Sequence, residues 1–278
     1  MLEALSSMRG NRIRGTVLRY RADRAPVAYV LFMLGVHLAV FLWATPLIAA
    51  LLIGPMVVLC SCVAAINHHH QHLNTFYSPV LNRAYELALA LQAGIGPYGW
   101  VLHHNLGHHL HYLNQPPHAK PDESHWTRKD GSTMGRFEYS LHLFLHHQFD
   151  IYQVGKRHPR IWRSYLLMKI PLYTIIAIGL IIDPVMFLLA FLIPAMLTLF
   201  HTCWATYEHH AGHHATDHHD ASVNREHWLY NFMTCNLGLH TAHHQQPGVH
   251  WSLLPELHAK IRSKIPQEQL LQTFWLPR

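Results

Sequence analysis

The sequence has little cysteine and arranges it in no framework. Cys60, Cys62, Cys203 and Cys235 are the only four in 278 residues, and no C-x-x-C pair occurs. Cys60 and Cys62 are two apart in an apolar run, so on a helix they point to different sides. A disulfide scaffold is excluded, and buried reduced thiols are expected. Several catalytic signatures are missing too. Without His-Glu-x-x-His, a zincin protease is disfavoured. Without G-x-S-x-G, there is no serine nucleophile elbow. Without Glu-x-x-His pairs, the soluble carboxylate di-iron bundle is disfavoured. The N-terminus is polar and rich in arginine, with no early apolar core and no small-residue cleavage site. No cleavable signal peptide is expected.

What the chain has in excess is histidine: 29 residues, against 21 lysines and arginines. Half of all residues are hydrophobic, yet the mean hydropathy is only +0.05. Long apolar runs therefore alternate with polar, histidine-rich ones. The net charge of +6 would suit a nucleic-acid binder in a soluble protein. Here the cations flank apolar runs, which favours the cytoplasmic side of a membrane and no nucleic acid partner. Arg9, Arg12, Arg14, Arg19, Arg21 and Arg24 precede the first run. Lys156, Arg157, Arg160, Arg163 and Lys169 precede the third, and offer a basic patch to an acidic partner.

Spans are placed at about residues 27–45, 47–66, 170–182 and 185–206. The first two each have roughly the ~20 residues that cross a bilayer core as a helix. Thr45-Pro46 breaks the first pair and Asp183-Pro184 the second. The fold class expected is an all-α integral membrane protein of two transmembrane hairpins. A single domain covers 1–278, with a histidine-rich cytoplasmic cap at about 67–168 and 207–278. Residues 81–101 carry Arg83, Glu86 and Gln92, then Gly94, Gly96, Pro97 and Gly99. They read as a helix on the interface rather than a span. Both hairpins return to the basic side, so every histidine cluster lies on that face.

The clusters are four. His68-x3-His72 has His69 and His70 between as substitutes. His104-x3-His108-His109 has His103 and His111 beside it as outer donors. On an α-helix His104 and His108 share a face, and His109, one step round, reaches a second ion. In Tyr207-Glu-His-His-Ala-Gly-His-His214, His210 is the first choice of ligand and His209 the second. Glu208 is either a ligand or a group that orients one. His240-x2-His243-His244 ends at a Pro-Gly turn. Asn236, four residues before His240, either holds a metal-bound water or is an ordinary polar helix residue. Asp217 to Asp220 read as solvated surface. His142, His146 and His147 interleave with apolar residues between Phe137 and Phe149. Any one box is equally well a solvated histidine-rich helix. Together they are costly unless paired or metal-bound, and neutral imidazole is the commonest side-chain metal ligand. Nine candidates, His68, His72, His104, His108, His109, His210, His240, His243 and His244, are too many for one ion and suit two. Imidazole without thiolate suits iron, with zinc and copper open on ligand type alone.

The order H-x3-H, H-x3-HH, H-x2-HH on one face of two membrane hairpins resembles the membrane fatty acid desaturase superfamily. The resemblance runs from the first span to Leu-Pro-Glu-Leu-His258. His104-Asn-Leu-Gly-His108-His109 and Glu208-His-His-Ala-Gly look like the alkane monooxygenase branch, although alkane monooxygenases have six spans. Pro247-Gly-Val-His-Trp-Ser-Leu-Leu-Pro255 looks desaturase-like. The pattern is also similar to a bacterial relative that makes terminal alkenes from fatty acids.

The resemblance implies a non-haem di-iron centre that uses O2 and two electrons to attack an unactivated C–H bond of a fatty acyl chain. No reductase domain is expected on the chain, so a separate ferredoxin-, rubredoxin- or cytochrome-type donor is implied. Desaturation is the leading expectation. Hydroxylation and oxidative decarboxylation to a terminal alkene are the alternatives. A metal transporter or storage protein is a different class; transport needs polar groups across the membrane, and the spans carry almost none besides His37. The acyl substrate should follow an apolar channel between the spans. Its head is placed near Arg83 or the second basic flank, and its far end near Val36, Val40 and Trp43. An interfacial anchor is the competing reading of Trp43.

Overall fold

Thr45-Pro46 and Asp183-Pro184 each end one long apolar helix and start the next. Proline suits a first helical turn, where its missing N–H would have no partner, and a preceding Thr or Asp caps the free N–H groups. The Thr45 hydroxyl accepts from the Ile48 N–H (3.4 Å), and the Asp183 carboxylate from the Met186 N–H (3.0 Å). The computed structural model describes residues 16–113, 125–213 and 217–274. Arg9, Arg12, Arg14, Pro116-Pro117, Asp122-Glu123 and His214 lie outside the described residues.

The first hairpin is α1 (Arg24–Trp43) and α2 (Pro46–His72). After α3 (Pro79–Ala93) comes a π-helix (Val101–His108) that continues as α-helix over His109–His111. An amphipathic α4 (Arg136–Arg157) leads into the second hairpin, α5 (Pro159–Ile182) and α6 (Pro184–His210). Short α7 (Trp228–Met233), α8 (His240–Gln245) and α9 (Leu254–Ile261) follow. A two-residue parallel pair, β1 (Asn224–Arg225) with β2 (Leu270–Leu271), ties the C-terminal segment down. Among the described residues, four helices are long and apolar enough to cross a membrane: Arg21–Trp43, Pro46–His72, Pro159–Ile182 and Pro184–His210. This agrees with the all-helical, four-span expectation, with longer helices. α2 runs on through His72 and α6 through His210, so two histidine boxes ride on the crossing helices themselves.

Residues 79–93 form a helix within the stretch read as non-spanning. The helix is too short to span, as expected, but its inner face is packed against the long helices. Tyr85, Leu89 and Ala93 pack with Val30 and Met33 of α1 and Cys60 and Val63 of α2. Its Glu86 is fully buried, paired with Arg83 (2.5 Å) and His70 Nε2 (3.2 Å). α3 stops at Gly94, whose φ of +74° is left-handed and whose added Cβ would lie 2.7 Å from the Ala195 carbonyl oxygen of α6. Only glycine permits both that turn and that approach. Gly94, Gly96 and Gly99 carry the G-x-G-x-x-G spacing of a dinucleotide-binding loop without its context, since a helix and not a strand precedes them.

The segment after the last box is anchored to the start of α1. The His250 and Trp251 ring N–H groups both donate to the Asp23 carboxylate, at 3.0 and 2.9 Å. Glu226 accepts from Arg262 (2.6 Å) and His258 (2.8 Å), and the Arg262 guanidinium chiefly holds its carboxyl down at about 2.

His37, the polar residue noted within the spans, has a structural task. Pro194 in α6 has no N–H to give the Ala190 carbonyl four residues back, and a π-turn occupies Leu188–Leu192 just before it. The buried His37 Nδ1–H donates to that carbonyl at 2.5 Å, and its Nε2 lies 3.2 Å from Cys60 Sγ. A carbonyl without a partner in an apolar interior costs about 1–3 kcal/mol. His37→Leu should therefore lower the melting temperature in detergent. Adding Pro194→Ala, which restores a backbone donor, should recover part of the loss. Equal destabilisation in the single and double variants would refute this role.

Candidate metal centre

The second box is built on an unusual backbone. The His109 N–H bonds to the His104 carbonyl, five residues back rather than four. Such π-turns are rare and recur at functional sites. They align residues five apart, and the Nε2 atoms of His104 and His109 come within 3.0 Å. His108 turns to the other side. The α-helical expectation, His104 with His108 and His109 reaching onward, is thereby corrected: the wider turn pairs His104 with His109 and sends His108 away.

The nine histidines singled out by box spacing form two adjoining groups. His68, His72, His104, His109 and His243 make one, and His108, His210, His240 and His244 the other. Within each, one ring nitrogen per residue lies within 4.8 Å of all the others. The first group draws on α2, the π-helix region and α8; the second on the π-helix, α6 and α8. The rings of His109 and His244 stack across the boundary at 4.1 Å. Inside the groups the Nε2 atoms nearly touch: His68 and His243 at 2.8 Å, His210 and His244 at 3.0 Å, His240 and His210 at 3.1 Å. A neutral imidazole carries one N–H, so these nitrogens cannot all satisfy one another by hydrogen bonds. A cation shared by their lone pairs would satisfy them all. The residues present therefore fit a metal in each group.

Protonation agrees. Burial, and after it the neighbouring rings, hold the imidazoles of His104, His108, His240, His243 and His244 well below the usual histidine range. Burial pushes His109 down to about 3. Neutral imidazole is the form that ligates. The His210 Nδ1–H donates to the Ala221 carbonyl at 2.9 Å, which fixes the tautomer and leaves its Nε2 lone pair facing the group.

Other residues named from sequence lie outside the two groups. His209 lies flat on His240, with ring centroids 3.8 Å apart, so the third cluster gives His210 to the centre and His209 as a packing partner. Glu208 is taken by two cations, Arg136 at 2.6 Å and Arg225 at 2.7 Å, and ties the end of α6 to α4 and β1. His103 faces Asp150 at 3.7 Å, and His111 is half-buried. Asn236 does not share a helix with His240. It sits at φ +63° in the turn before α8 and donates to the Trp251 carbonyl at 3.2 Å, so the i−4 geometry proposed for a water-holding role is absent. His218 is exposed, as expected of surface, and its Nδ1 lies 2.6 Å from the Tyr112 hydroxyl.

Sequence reasoning missed the aromatic wall. Trp100 packs against His104 at 4.6 Å, and Tyr112 against His244 at 4.2 Å. Their spacing was the available signal: Trp100 is four residues before His104, and Tyr112 four after His108.

A cleft of about 500 Å³, counted to its open mouth, reaches His104 and His108 from the side of α4 and α6. Trp100, Leu143, Ile151, Leu199, Thr202 and Cys203 are among its walls. The residues expected to line an acyl channel lie elsewhere. Val40 is buried, and Val36 partly so, in a cluster with Phe187 and Phe191 of α6. Trp43 is 80% exposed beside the hairpin turn, the position of an interfacial anchor. Arg83 is committed to Glu86 and lies over the Tyr98 ring at 4.3 Å. None of the four lines the cleft.

Among the described residues, four helices long and apolar enough to cross a membrane bring two histidine groups to one end, a helical architecture with a polyhistidine site that could hold metal. The fatty acid desaturase family pattern matches residues 41–275, and the chain belongs to that family. Membership makes it an oxidoreductase with an acyl-lipid substrate. No curated protein and no solved structure matches the chain.

Proposed function

We propose that this chain is a membrane-bound, O2-dependent di-iron oxidase that desaturates fatty acyl chains. The nine histidines of the two groups would be its ligands. The observation that carries the reading is a pair of buried, neutral histidine groups at the inner end of an apolar cleft. Two irons held there would supply O2 activation and the removal of hydrogen from an unactivated C–H bond. The protein's own side chains supply the rest. Leu143, Ile151 and Leu199 exclude water and hold methylene groups beside His104 and His108. A saturated chain offers no polar handle, so the shape of the cleft decides which carbon stops there. Trp100 and Tyr112 brace the imidazoles and limit their rotation.

We place the centre on the cytoplasmic side. Arg19, Arg21 and Arg24 at the start of α1, and Arg160 and Arg163 at the start of α5, mark the same ends of the two hairpins. Electrons come from a separate ferredoxin-, rubredoxin- or cytochrome-type donor, for which Lys156, Arg157, Arg160 and Arg163 are a suitable acidic-partner surface.

The test is mass spectrometry of fatty acids and volatile hydrocarbons from cells producing the protein or its His108→Ala variant. New double bonds in acyl chains, absent with the variant, are expected. An alcohol or a terminal alkene instead would replace desaturation by hydroxylation or decarboxylation on the same site. Zinc-loaded protein with no O2-dependent product would move the chain to the metal-binding class.

A further inference from the structure

α4 is not among the four crossing helices, yet it exposes a continuous apolar stripe. Phe137, Leu141, Leu145, Phe149 and Tyr152 recur at three- and four-residue spacing and are 38–63% exposed. The opposite face is committed: Leu143, His147 and Ile151 line the cleft. The exposed arc itself divides in two. Beside the apolar stripe runs a polar one, Glu138, His142 and His146, all exposed. A helix with one apolar half-arc and one polar half-arc outside its packed face has the pattern of an element lying in a bilayer interface. A stripe of this extent on a soluble surface would be a liability.

We propose that α4 lies in the plane of the membrane interface, with the Phe137–Tyr152 stripe immersed among lipid acyl chains. Continuity selects lipid over a protein partner. One residue, His158, separates α4 from the membrane-crossing α5, and the outer side of α5 continues the apolar surface through Leu166, Leu167, Ile170 and Tyr173. Lys156 and Arg157 at the junction stand at head-group level. α4 is then a partition one helix thick, with bilayer on one side and the cleft on the other. An acyl chain moving from bilayer to cleft passes beside it without crossing water. The inference needs only the membrane location of the chain, not the oxidase reading.

The test uses the full chain in vesicles of phosphatidylcholine with one-quarter phosphatidylglycerol. Leu145→Cys and His146→Cys, each in a Cys62→Ser background, carry a nitroxide label, and collision rates with O2 and with a water-soluble nickel chelate are compared. The O2-to-nickel ratio at position 145 should exceed that at position 146 several-fold. Equal, nickel-rich exposure at both positions would show an aqueous stripe and overturn the proposal. Low collision with both reagents at position 145 would show the stripe covered by protein, a second copy included, and would equally overturn it. Activity is not read, so failure here leaves the proposed reaction untouched.

Discussion

Replacing His108 with alanine is expected to abolish turnover, at least about a hundred-fold below the parent, while membrane insertion is retained. Groups that merely orient a metal ligand cost 10–100-fold on removal, so loss of a ligand should cost more. His108 belongs only to the four-membered group, where each imidazole is a quarter of the donor set. Metal content should fall from two ions per chain toward one, with the first group still able to load through its five histidines. Insertion rests on the four apolar helices, to which His108 contributes nothing. The comparison that sharpens the result is His209→Ala against His210→Ala. His209 stacks on His240 and belongs to neither group, so its loss should leave metal content intact, whereas His210→Ala should behave like His108→Ala. Elemental analysis of purified protein and product assays on membranes read both effects. Active parent protein holding one zinc and no iron, or His108→Ala with full metal and full turnover, would refute the assignment.

The gathering of these nine histidines was legible because histidine at such density has few tolerable settings in an apolar chain. The hairpins were legible because Thr45-Pro46 and Asp183-Pro184 interrupt long apolar runs. The division of the ligands was not. Spacing of four residues implies a shared face only on an α-helix, and nothing local in Val101 to His108 announces a five-residue repeat. Glu208 was ambiguous for a related reason: its partners Arg136 and Arg225 are 72 and 17 residues away in sequence. Periodicity likewise shows that a helix has a face without saying what that face meets. α3 read as interfacial, and its inner face packs against α1 and α2, while the apolar spacing from Phe137 to Phe149 was visible in a stretch read as cytoplasmic without showing what it meets. Arg83, Val36, Val40 and Trp43 do not line the cleft beside His104, because cleft walls are made by helices meeting in space. The helices that meet beside His104 are α4 and α6.

Filling that cleft should cost activity more than any change along α1. Thr202 lines the cleft from α6, is only half-buried, and keeps its hydroxyl on the Thr198 carbonyl of its own helix at 2.9 Å. Thr202→Phe therefore adds bulk to open space rather than to a packed core, and the fold should tolerate it. A phenyl ring standing where methylenes must pass should lower kcat/KM at least about tenfold, equivalent to about 1.4 kcal/mol of lost transition-state stabilisation. The loss should grow with chain length if the cleft holds the far end of the substrate. Leu199→Ala, which opens the same wall, should shift preference toward longer or bulkier chains. Trp43→Ala should leave the profile unchanged, because that ring lies outside the cleft. Val40→Ala should loosen the packing against Phe187 and Phe191 and lower thermal stability without moving product distribution. The measurement is the product profile over a series of acyl chain lengths, beside a melting curve for each variant. If Thr202→Phe folds normally and keeps the parent profile, or if Trp43→Ala shifts it, the substrate does not lie between α4 and α6.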